Sequence, residues 1–340
     1  MSRMVAMLTA TVRAPLALWA GPVSAAPAAP VAGPLLGAVG YGGAKLPHGA
    51  GVAVEVPNAV LSGEPWLELW SASGTIRAGR SGLLDFADDG RLLFGAGRLP
   101  VGGGAEPAAH ALFSELLDLA AELGYPELLR VWNYLPGINR EHGGLEVYRS
   151  FNLGRARAFV SRFGLAAERR FCASSAVGAP GDELLVLFLA AREPGRPVEN
   201  PRQVAAWRYP PRYGPVGPSF SRLTVAPAEL GPGCFLSGTA SVVGHATLHA
   251  GDPQAQLEET LVNIGRALEA AADHGPGRWR EGFAALSLAK VYVRHPADLE
   301  AIRAGLEPHL PAGPEGRQPL YLEADICRSD LLLEIEGVAL

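Results

Sequence analysis

The stretch Asp252-Pro253-Gln254-Ala255-Gln256-Leu257 decides the fold of this chain, because it opens a helix with both preferred residues in place. An Asp at the N-cap accepts a hydrogen bond from an unpaired backbone N–H, and a Pro at the first helical position has no N–H to leave unpaired. The apolar residues that follow share one helix face: Leu257, Leu261, Ile264 and Leu268. The stretch therefore predicts an amphipathic helix that packs on a sheet.

The segments after this helix complete an α/β unit. We expect a strand over residues 288–293, a helix opened by Pro296, and a final strand pair over residues 320–325 and 331–338. With a strand before Asp252, these segments place helices on one face of a sheet.

The first half of the chain predicts a similar mixture of short strands and helices. Leucines at helical spacing predict a helix over residues 107–123, and a second helix is expected over about residues 144–163. Short apolar or alternating segments bounded by Gly, Pro or Asn predict strands at residues 35–39, 52–56, 66–70, 128–134 and 181–189. The fold class is therefore α/β in its mixed α+β form.

Composition excludes several classes of protein. The 340 residues carry 29 Lys and Arg against 34 Asp and Glu, a net charge of −5, which lacks the basic surface of a general nucleic-acid binder. No segment approaches the roughly 20 apolar residues of a membrane span. Three scattered cysteines make no disulfide framework or paired zinc motif, so we expect a cytoplasmic protein rather than a secreted one: Cys172, Cys234 and Cys327.

Two patterns that could hold a metal or a cofactor lack their context. His245 and His249 follow a predicted strand, and no Glu stands beside His245 as in the His-Glu-x-x-His motif. Gly102, Gly103 and Gly104 lie in a loop without the strand–turn–helix context of a dinucleotide fingerprint. We expect neither a metal nor a redox cofactor.

Three segments of the second half resemble the RidA/YjgF superfamily. They are Asp252-Pro253-Gln254-Ala255-Gln256, Lys290-Val291-Tyr292-Val293 and the terminal Glu334-Ile335-Glu336. Members of that superfamily are trimers whose ligand pockets lie at subunit interfaces, and the first Glu of the terminal Glu-Ile-Glu is a pocket residue. The resemblance implies a pocket role for Glu334.

A longer resemblance, to the chorismatases, runs through both halves. It rests on Val131-Trp132-Asn133-Tyr134-Leu135-Pro136-Gly137-Ile138-Asn139, Tyr148-Arg149-Ser150-Phe151-Asn152-Leu153-Gly154-Arg155, Asn200-Pro201-Arg202-Gln203, Tyr209 to Pro215, Pro218-Ser219-Phe220-Ser221-Arg222, Ser237-Gly238-Thr239-Ala240-Ser241 and Ala324-Asp325-Ile326-Cys327-Arg328. Chorismatases remove the enolpyruvyl group of chorismate as pyruvate, for secondary metabolism. The resemblance implies two RidA/YjgF-like halves, an N-terminal domain over residues 1–205 and a C-terminal domain over residues 206–340, with a pocket lined by both.

A pocket for chorismate needs cationic groups, because the substrate is a dianion with two separated carboxylates. Arg binds carboxylates in planar bidentate fashion. The matching segments supply candidate substrate-binding residues, although each Arg taken alone is equally compatible with a structural ion pair: Tyr148, Arg155, Tyr209, Tyr213, Arg222 and Ala240. We expect the small-molecule substrate to be the partner of a monomer or homotrimer that binds neither nucleic acid nor membrane.

Cleavage of an enol ether is easiest when a carboxylic acid first protonates its terminal methylene. Glu334 lies on a predicted strand whose other face is apolar, so burial should raise its pKa towards that of a working general acid. Glu336 shares the face of Glu334 and is expected to be structural. The alternative is a half-exposed strand with two solvated glutamates.

Cys327 and Ala240 bear on the product. No Cys/His/Asn constellation supports a thiolate nucleophile, so Cys327 is assigned a pocket-shaping or neutral-donor role at the catalytic site. In the family, members that form 3-hydroxybenzoate carry Cys at this place and Gly after Ser-Gly-Thr, where this chain has the hydrolase-like Ala240. We favour 3-hydroxybenzoate; the alternatives are a hydrolase that gives a dihydroxycyclohexadiene carboxylate and a non-catalytic RidA-like protein that binds a small carboxylate.

Overall fold

The computed structural model describes residues 16–27, 33–231, 233–274, 277, 279–310 and 318–340. Within these residues, one four-stranded sheet and two six-stranded sheets carry the fold, with two short hairpins beside them. The four-stranded sheet has the order β1-β4-β2-β3 and comprises β1 (Leu16–Pro22), β2 (Leu35–Tyr41), β3 (Val52–Val56) and β4 (Trp66–Ala72).

The first six-stranded sheet has the order β11-β8-β12-β7-β6-β5, and helices α1 and α2 pack on one of its faces. Its strands are β5 (Arg77–Ser81), β6 (Leu84–Asp88), β7 (Leu92–Pro100), β8 (Glu127–Pro136), β11 (Ala173–Ala179) and β12 (Glu183–Ala191); β9 (Glu141–His142) and β10 (Leu145–Glu146) form a hairpin, and the helices are α1 (Ala105–Glu122) and α2 (Val147–Phe163).

The second six-stranded sheet has the order β13-β14-β15-β20-β18-β19, with helices α3 and α4 on one face. Its strands are β13 (Arg196–Val198), β14 (Leu223–Val225), β15 (Cys234–Thr239), β18 (Leu288–Val293), β19 (Leu320–Glu323) and β20 (Leu333–Ala339); β16 (Val242–Val243) and β17 (Ala246–Thr247) form a hairpin, and the helices are α3 (Pro253–Ala271) and α4 (Leu299–Leu306).

The two six-stranded sheets share one topology. In each, the last strand lies antiparallel between two earlier ones: β12 between β7 and β8, and β20 between β15 and β18. In each, the two strands joined by the second helix are parallel: β8 with β11, and β18 with β19. This confirms the prediction of two similar α+β halves with mixed sheets and helices on one face. The four-stranded sheet is an addition that the sequence did not indicate.

The helix-free faces of the sheets meet in a central core. Trp132 of β8, Tyr292 of β18 and Trp70 of β4 are buried together there. On β20, Leu333 and Ile335 instead face the core beneath the helices α3 and α4, so Glu334 and Glu336 point to the central layer. The predicted alternation of this strand is confirmed from Leu333 onwards.

Helix α3 begins as the sequence predicts. The Asp252 carboxylate accepts hydrogen bonds from the backbone N–H groups of Gln254 and Ala255 at 3.1 and 3.0 Å, and Pro253 is the first helical residue. Gln256, buried on this helix, accepts from the backbone N–H of Leu332 and donates to the backbone oxygen of Asp330, both at 2.8 Å. The helix thus fixes the turn that precedes β20.

Several boundaries differ from the sequence prediction. The residues opened by Pro296 form one 3₁₀ turn before α4, and the final strands are shorter than expected, because β19 ends at Glu323 and β20 begins at Leu333. The division into domains at residues 205 and 206 stays a prediction; β13 precedes it and pairs with β14 of the second sheet. None of the helices in the described ranges is both long and apolar enough to cross a membrane.

Candidate active site

A cavity of about 280 Å³ lies where β11, the edge strand of the first six-stranded sheet, meets the second sheet. Helix α2, strands β11, β15 and β20, the segment before β14 and the turn before β20 all contribute to its wall. The structure brings together on this cavity all eight residues singled out from the sequence: Tyr148, Arg155, Tyr209, Tyr213, Arg222, Ala240, Cys327 and Glu334. Their roles stay predictions.

Arg155 is a buried cation without a carboxylate partner among the described residues. Its side chain is 1% exposed, and its guanidinium donates to Asn152 Oδ1 at 2.9 Å and lies over the Phe151 ring at 5.0 Å. Its Nε is buried, and no described residue supplies it with a hydrogen-bond acceptor. Burial lowers the pKa of Arg155 to about 10, so the group remains charged at neutral pH. A buried charge of this kind is costly unless a ligand supplies its counterion.

Arg222 is only weakly neutralised by the protein. Its guanidinium donates to the Tyr209 hydroxyl at 2.6 Å and to the Val204 carbonyl at 3.1 Å, while its Nε is 4.0 Å from Glu199 Oε2. Burial raises the pKa of Glu199 to about 7, although Arg222 opposes the shift. Near neutral pH, Glu199 is therefore only partly ionised, and Arg222 keeps positive charge to offer to an anion.

An aromatic and cationic group lines another part of the cavity wall. The rings of Tyr209 and Tyr213 lie 5.5 Å apart, and the Arg328 guanidinium stacks 4.2 Å from the Tyr213 ring and 5.1 Å from the Tyr209 ring. Arg328 donates to the backbone oxygen of His245 at 2.9 Å. The sequence did not single out Arg328, although it belongs to one of the matching segments.

Glu334 is a buried carboxyl with a raised pKa. Its side chain is 4% exposed, and its Oε1 has no hydrogen-bond partner in the part of the chain that the structure describes. Burial and, to a smaller extent, the nearby Glu336 raise the pKa of Glu334 to about 8, against opposing effects of Arg130 and Arg222. The carboxyl lies so close above Gly238 that a Cβ at residue 238 would collide with it. At neutral pH the group is mostly protonated.

The Cys327 thiol is a neutral neighbour of this acid. Its Sγ is 3.9 Å from Glu334 Oε2. Burial and the adjacent carboxyl raise the pKa of Cys327 to about 12, so the thiol does not ionise at physiological pH. Ala240 is buried in the same wall, and its carbonyl accepts from Asn263 Nδ2 at 3.0 Å.

The two histidines considered as metal ligands have other neighbours. His245 Nδ1 lies 2.9 Å from the Arg212 guanidinium and 3.3 Å from the Tyr213 hydroxyl, whereas His249 Nε2 is 3.7 Å from Glu259. No group of three His, Cys, Asp or Glu residues that could hold a metal occurs in the part of the chain that the structure describes.

Comparison with known proteins relates this chain to one family. The family model for the N-terminal part of FkbO/Hyg5-like chorismatases matches residues 68–190. A 3-hydroxybenzoate synthase from Streptomyces hygroscopicus is 38% identical over 323 residues, which cover 92% of this chain and 93% of that protein. A chorismatase from Streptomyces rapamycinicus is 39% identical over 305 residues, covering 88% and 89%. The crystal structure of a chorismatase aligns with 96% of this chain and 98% of its own, at 33% identity and a TM-score of 0.86.

Proposed function

The chain belongs to the chorismatase family, and from this premise we propose that it converts chorismate to 3-hydroxybenzoate and pyruvate. One observation carries the proposal: Arg155, a buried guanidinium with no carboxylate partner among the residues that the structure describes, lines the same cavity as Glu334, a carboxylic acid that keeps its proton at neutral pH. A dianionic enol ether needs both groups, one to bind a carboxylate and one to protonate the methylene.

We assign carboxylate binding to Arg155 and Arg222. Arg155 comes from the first half of the chain and Arg222 from the second, so they can hold two separated carboxylates. The Tyr209 hydroxyl already accepts a hydrogen bond from Arg222, which leaves its own hydrogen for the ligand. Tyr148 and Tyr213 add further hydroxyl groups to the wall. Tyr148 stays neutral, because burial raises its pKa.

Glu334 donates its proton to the terminal methylene of the enolpyruvyl group, which produces an oxocarbenium ion. The bond between ring carbon C3 and the ether oxygen then breaks, and its electron pair leaves with pyruvate. The 4-hydroxyl oxygen attacks C3 to form an arene-oxide-like intermediate, and its proton returns to the Glu334 carboxylate. Opening of this intermediate and loss of a ring proton give 3-hydroxybenzoate, so the overall reaction consumes no water.

The runner-up function is hydrolysis to a dihydroxycyclohexadiene carboxylate, and Ala240 is the observation that favours it. Ala240 is the hydrolase-like residue of the resemblance, whereas Cys327 is the residue of members that form 3-hydroxybenzoate. The similarity to a 3-hydroxybenzoate synthase over most of both chains supports the aromatic product. A purely binding role fits less well, because a carboxylate-binding pocket does not need a protonated carboxyl beside its cations.

Incubation of the purified protein with chorismate tests the function. We expect pyruvate and 3-hydroxybenzoate in equal amounts, measured by lactate-dehydrogenase coupling and by chromatography of the ring product. The dihydroxycyclohexadiene carboxylate as the only ring product would support the hydrolase instead. Absence of pyruvate would leave the binding role.

Replacement of Cys327 tests the origin of the product. If the neutral thiol helps to keep water from the ring, Cys327→Ala should divert product towards the diol while pyruvate release continues. A tenfold change in product ratio corresponds to about 1.4 kcal/mol between the competing transition states. Ala240→Gly is the matched variant and should move the ratio the other way.

In H₂¹⁸O the phenol should contain no solvent oxygen, since its oxygen descends from the 4-hydroxyl; labelled phenol would contradict this route.

We further propose a cytoplasmic enzyme of secondary metabolism that binds a small molecule rather than nucleic acid or membrane. All three cysteines are free, which is usual in a reducing compartment. The protein is proposed to be a monomer or a homotrimer. Both halves of one chain supply the cavity wall, so a monomer already holds the site that RidA-like proteins build between subunits. Sedimentation velocity distinguishes the two states.

A further inference from the structure

Four buried charged side chains lie behind Glu334, and the reaction described above does not use them. Lys290 Nζ is 2.9 Å from Glu68 Oε1 and 2.9 Å from Glu336 Oε1, and the Arg130 guanidinium is 2.6 Å from Glu336 Oε2. None of the four is more than 2% exposed. We call these residues the buried charge cluster: Glu68, Arg130, Lys290 and Glu336. Two positive and two negative charges balance within it.

Stability alone does not explain this cluster. Removing charges from water is expensive, and well-packed apolar residues often replace buried ion pairs without loss of stability. Lys290 is one of only two lysines in a chain whose other basic residues are Arg. Its compact ammonium, with three donors, suits a position between two carboxylates better than the planar Arg fork does.

The cluster is connected to Glu334 by two routes. Along β20, Glu336 and Glu334 lie two residues apart on the same face, opposite Lys290 and Tyr292 of β18. Across the sheets, the Ser175 hydroxyl accepts hydrogen bonds from Arg130 at 2.5 Å and from the backbone N–H of Gly238 at 2.9 Å. Gly238 is the residue directly beneath the Glu334 carboxyl.

We propose that Glu336 is a positioning residue, held as an anion by Lys290 and Arg130, and that burial and the Glu336 charge together keep Glu334 in the acid form that catalysis requires. The inference rests on the proposed function, because it assumes that Glu334 is the proton donor. Glu336 itself does not line the cavity and acts only through Glu334.

The charges around both carboxyls support this arrangement. Burial by itself would raise the pKa of Glu336, but Lys290 and Arg130 outweigh it and lower that pKa below the ordinary value. The titratable and charged groups around Glu334 on the neighbouring elements are Arg130, Tyr148, Arg222, Tyr292, Cys327 and Glu336. The anion of Glu336 is the charged neighbour that favours the protonated form; Arg130 and Arg222 oppose it. Loss of the Glu336 charge leaves Arg130 unopposed, so both effects would favour ionisation of Glu334.

The pH dependence of kcat/KM for pyruvate release tests the proposal, with two matched variants. In the wild type kcat/KM should fall as pH rises through the Glu334 pKa of about 8, and this fall is the basic limb of the pH profile. Glu336→Gln should move this basic limb downward by about one pH unit or more. Glu68→Gln removes the other carboxylate that pairs with the Lys290 ammonium, and Glu68 is not among the groups around Glu334. It should move the basic limb by less than half as much as Glu336→Gln does. An unmoved limb in E336Q, or equal shifts in both variants, would overturn the proposal.

Two further measurements keep the test decisive if E336Q does not fold. Lys290→Gln removes the ammonium that keeps Glu336 ionised, so Glu336 should gain a proton and the basic limb should move downward; an upward or absent shift contradicts the proposal. Infrared difference spectra between wild type and Glu334→Gln at pH 7 should show a protonated carboxyl band in the wild type, and a carboxylate band there would overturn the proposal. Wild-type protein that releases no pyruvate refutes the proposed function, whereas an active wild type with an unmoved E336Q limb refutes this inference alone.

Discussion

Glu334→Gln should lower kcat for pyruvate release by about 10²–10⁴-fold, the usual contribution of a positioned general acid. Gln keeps the size of the side chain but has no proton of suitable acidity, so chorismate should bind within a few-fold of wild type. The measurements are steady-state kinetics and calorimetric titration with chorismate. Glu323→Gln is the control, because Glu323 is an exposed carboxylate at the end of β19. Wild-type turnover in E334Q would remove Glu334 from the mechanism.

The same variant has a second, independent readout in stability. The pKa of Glu334 is about 8 in the folded protein, above its ordinary value of 4.5. Between these pH values the folded state binds more protons than the unfolded state, so the free energy of unfolding falls as pH rises. Glu334→Gln should abolish this part of the pH dependence. Its free energy of unfolding should therefore compare more favourably with that of the wild type at pH 8 than at pH 5. Urea unfolding at both pH values measures the difference.

Local patterns predicted the elements that frame the site. Two predicted features depend only on residues that are close in sequence: the N-cap and apolar face of α3, and the alternation of apolar and acidic residues in β20. Both are present in the structure. Strands without such a pattern were missed. β5 is exposed along its whole length, and β11 is built of small residues, Ala-Ser-Ser-Ala-Val-Gly-Ala, that give no apolar period.

The site itself depended on contacts between distant segments. The matching segments supplied eight side chains that the fold places on one cavity. Sequence patterns could not identify Arg130 or Ser175. Arg130 contacts Glu336 and Ser175 contacts Gly238, and each partner lies more than sixty residues away in the chain. Glu336 was expected to be structural. Its ion pairs with Lys290 and Arg130 could not be predicted from the sequence, because they join distant segments.

Arg155→Met should lower kcat/KM for chorismate by about 10²–10⁴-fold, because a substrate carboxylate left without its buried cation costs about 3–5 kcal/mol by analogy with broken buried ion pairs. Met fills a similar volume without charge. Arg157→Ala is the matched control on the same helix: its guanidinium pairs with Glu106 at the surface, where ion pairs contribute at most about 1 kcal/mol. Its kinetics should therefore stay close to wild type.

The stability of Arg155→Met separates a ligand-binding role from a structural one. If Arg155 were a structural cation, its removal would leave its partners unpaired and destabilise the fold by several kcal/mol. In the described residues Arg155 has no carboxylate partner, and burial lowers its pKa to about 10, so its charge costs free energy unless an anion binds beside it. We therefore expect Arg155→Met to unfold at the same temperature as wild type or higher, and to lose the thermal stabilisation that chorismate gives the wild type. A destabilised variant with intact kcat/KM would show that Arg155 holds the fold together and that Arg222 or Arg149 binds the carboxylate instead.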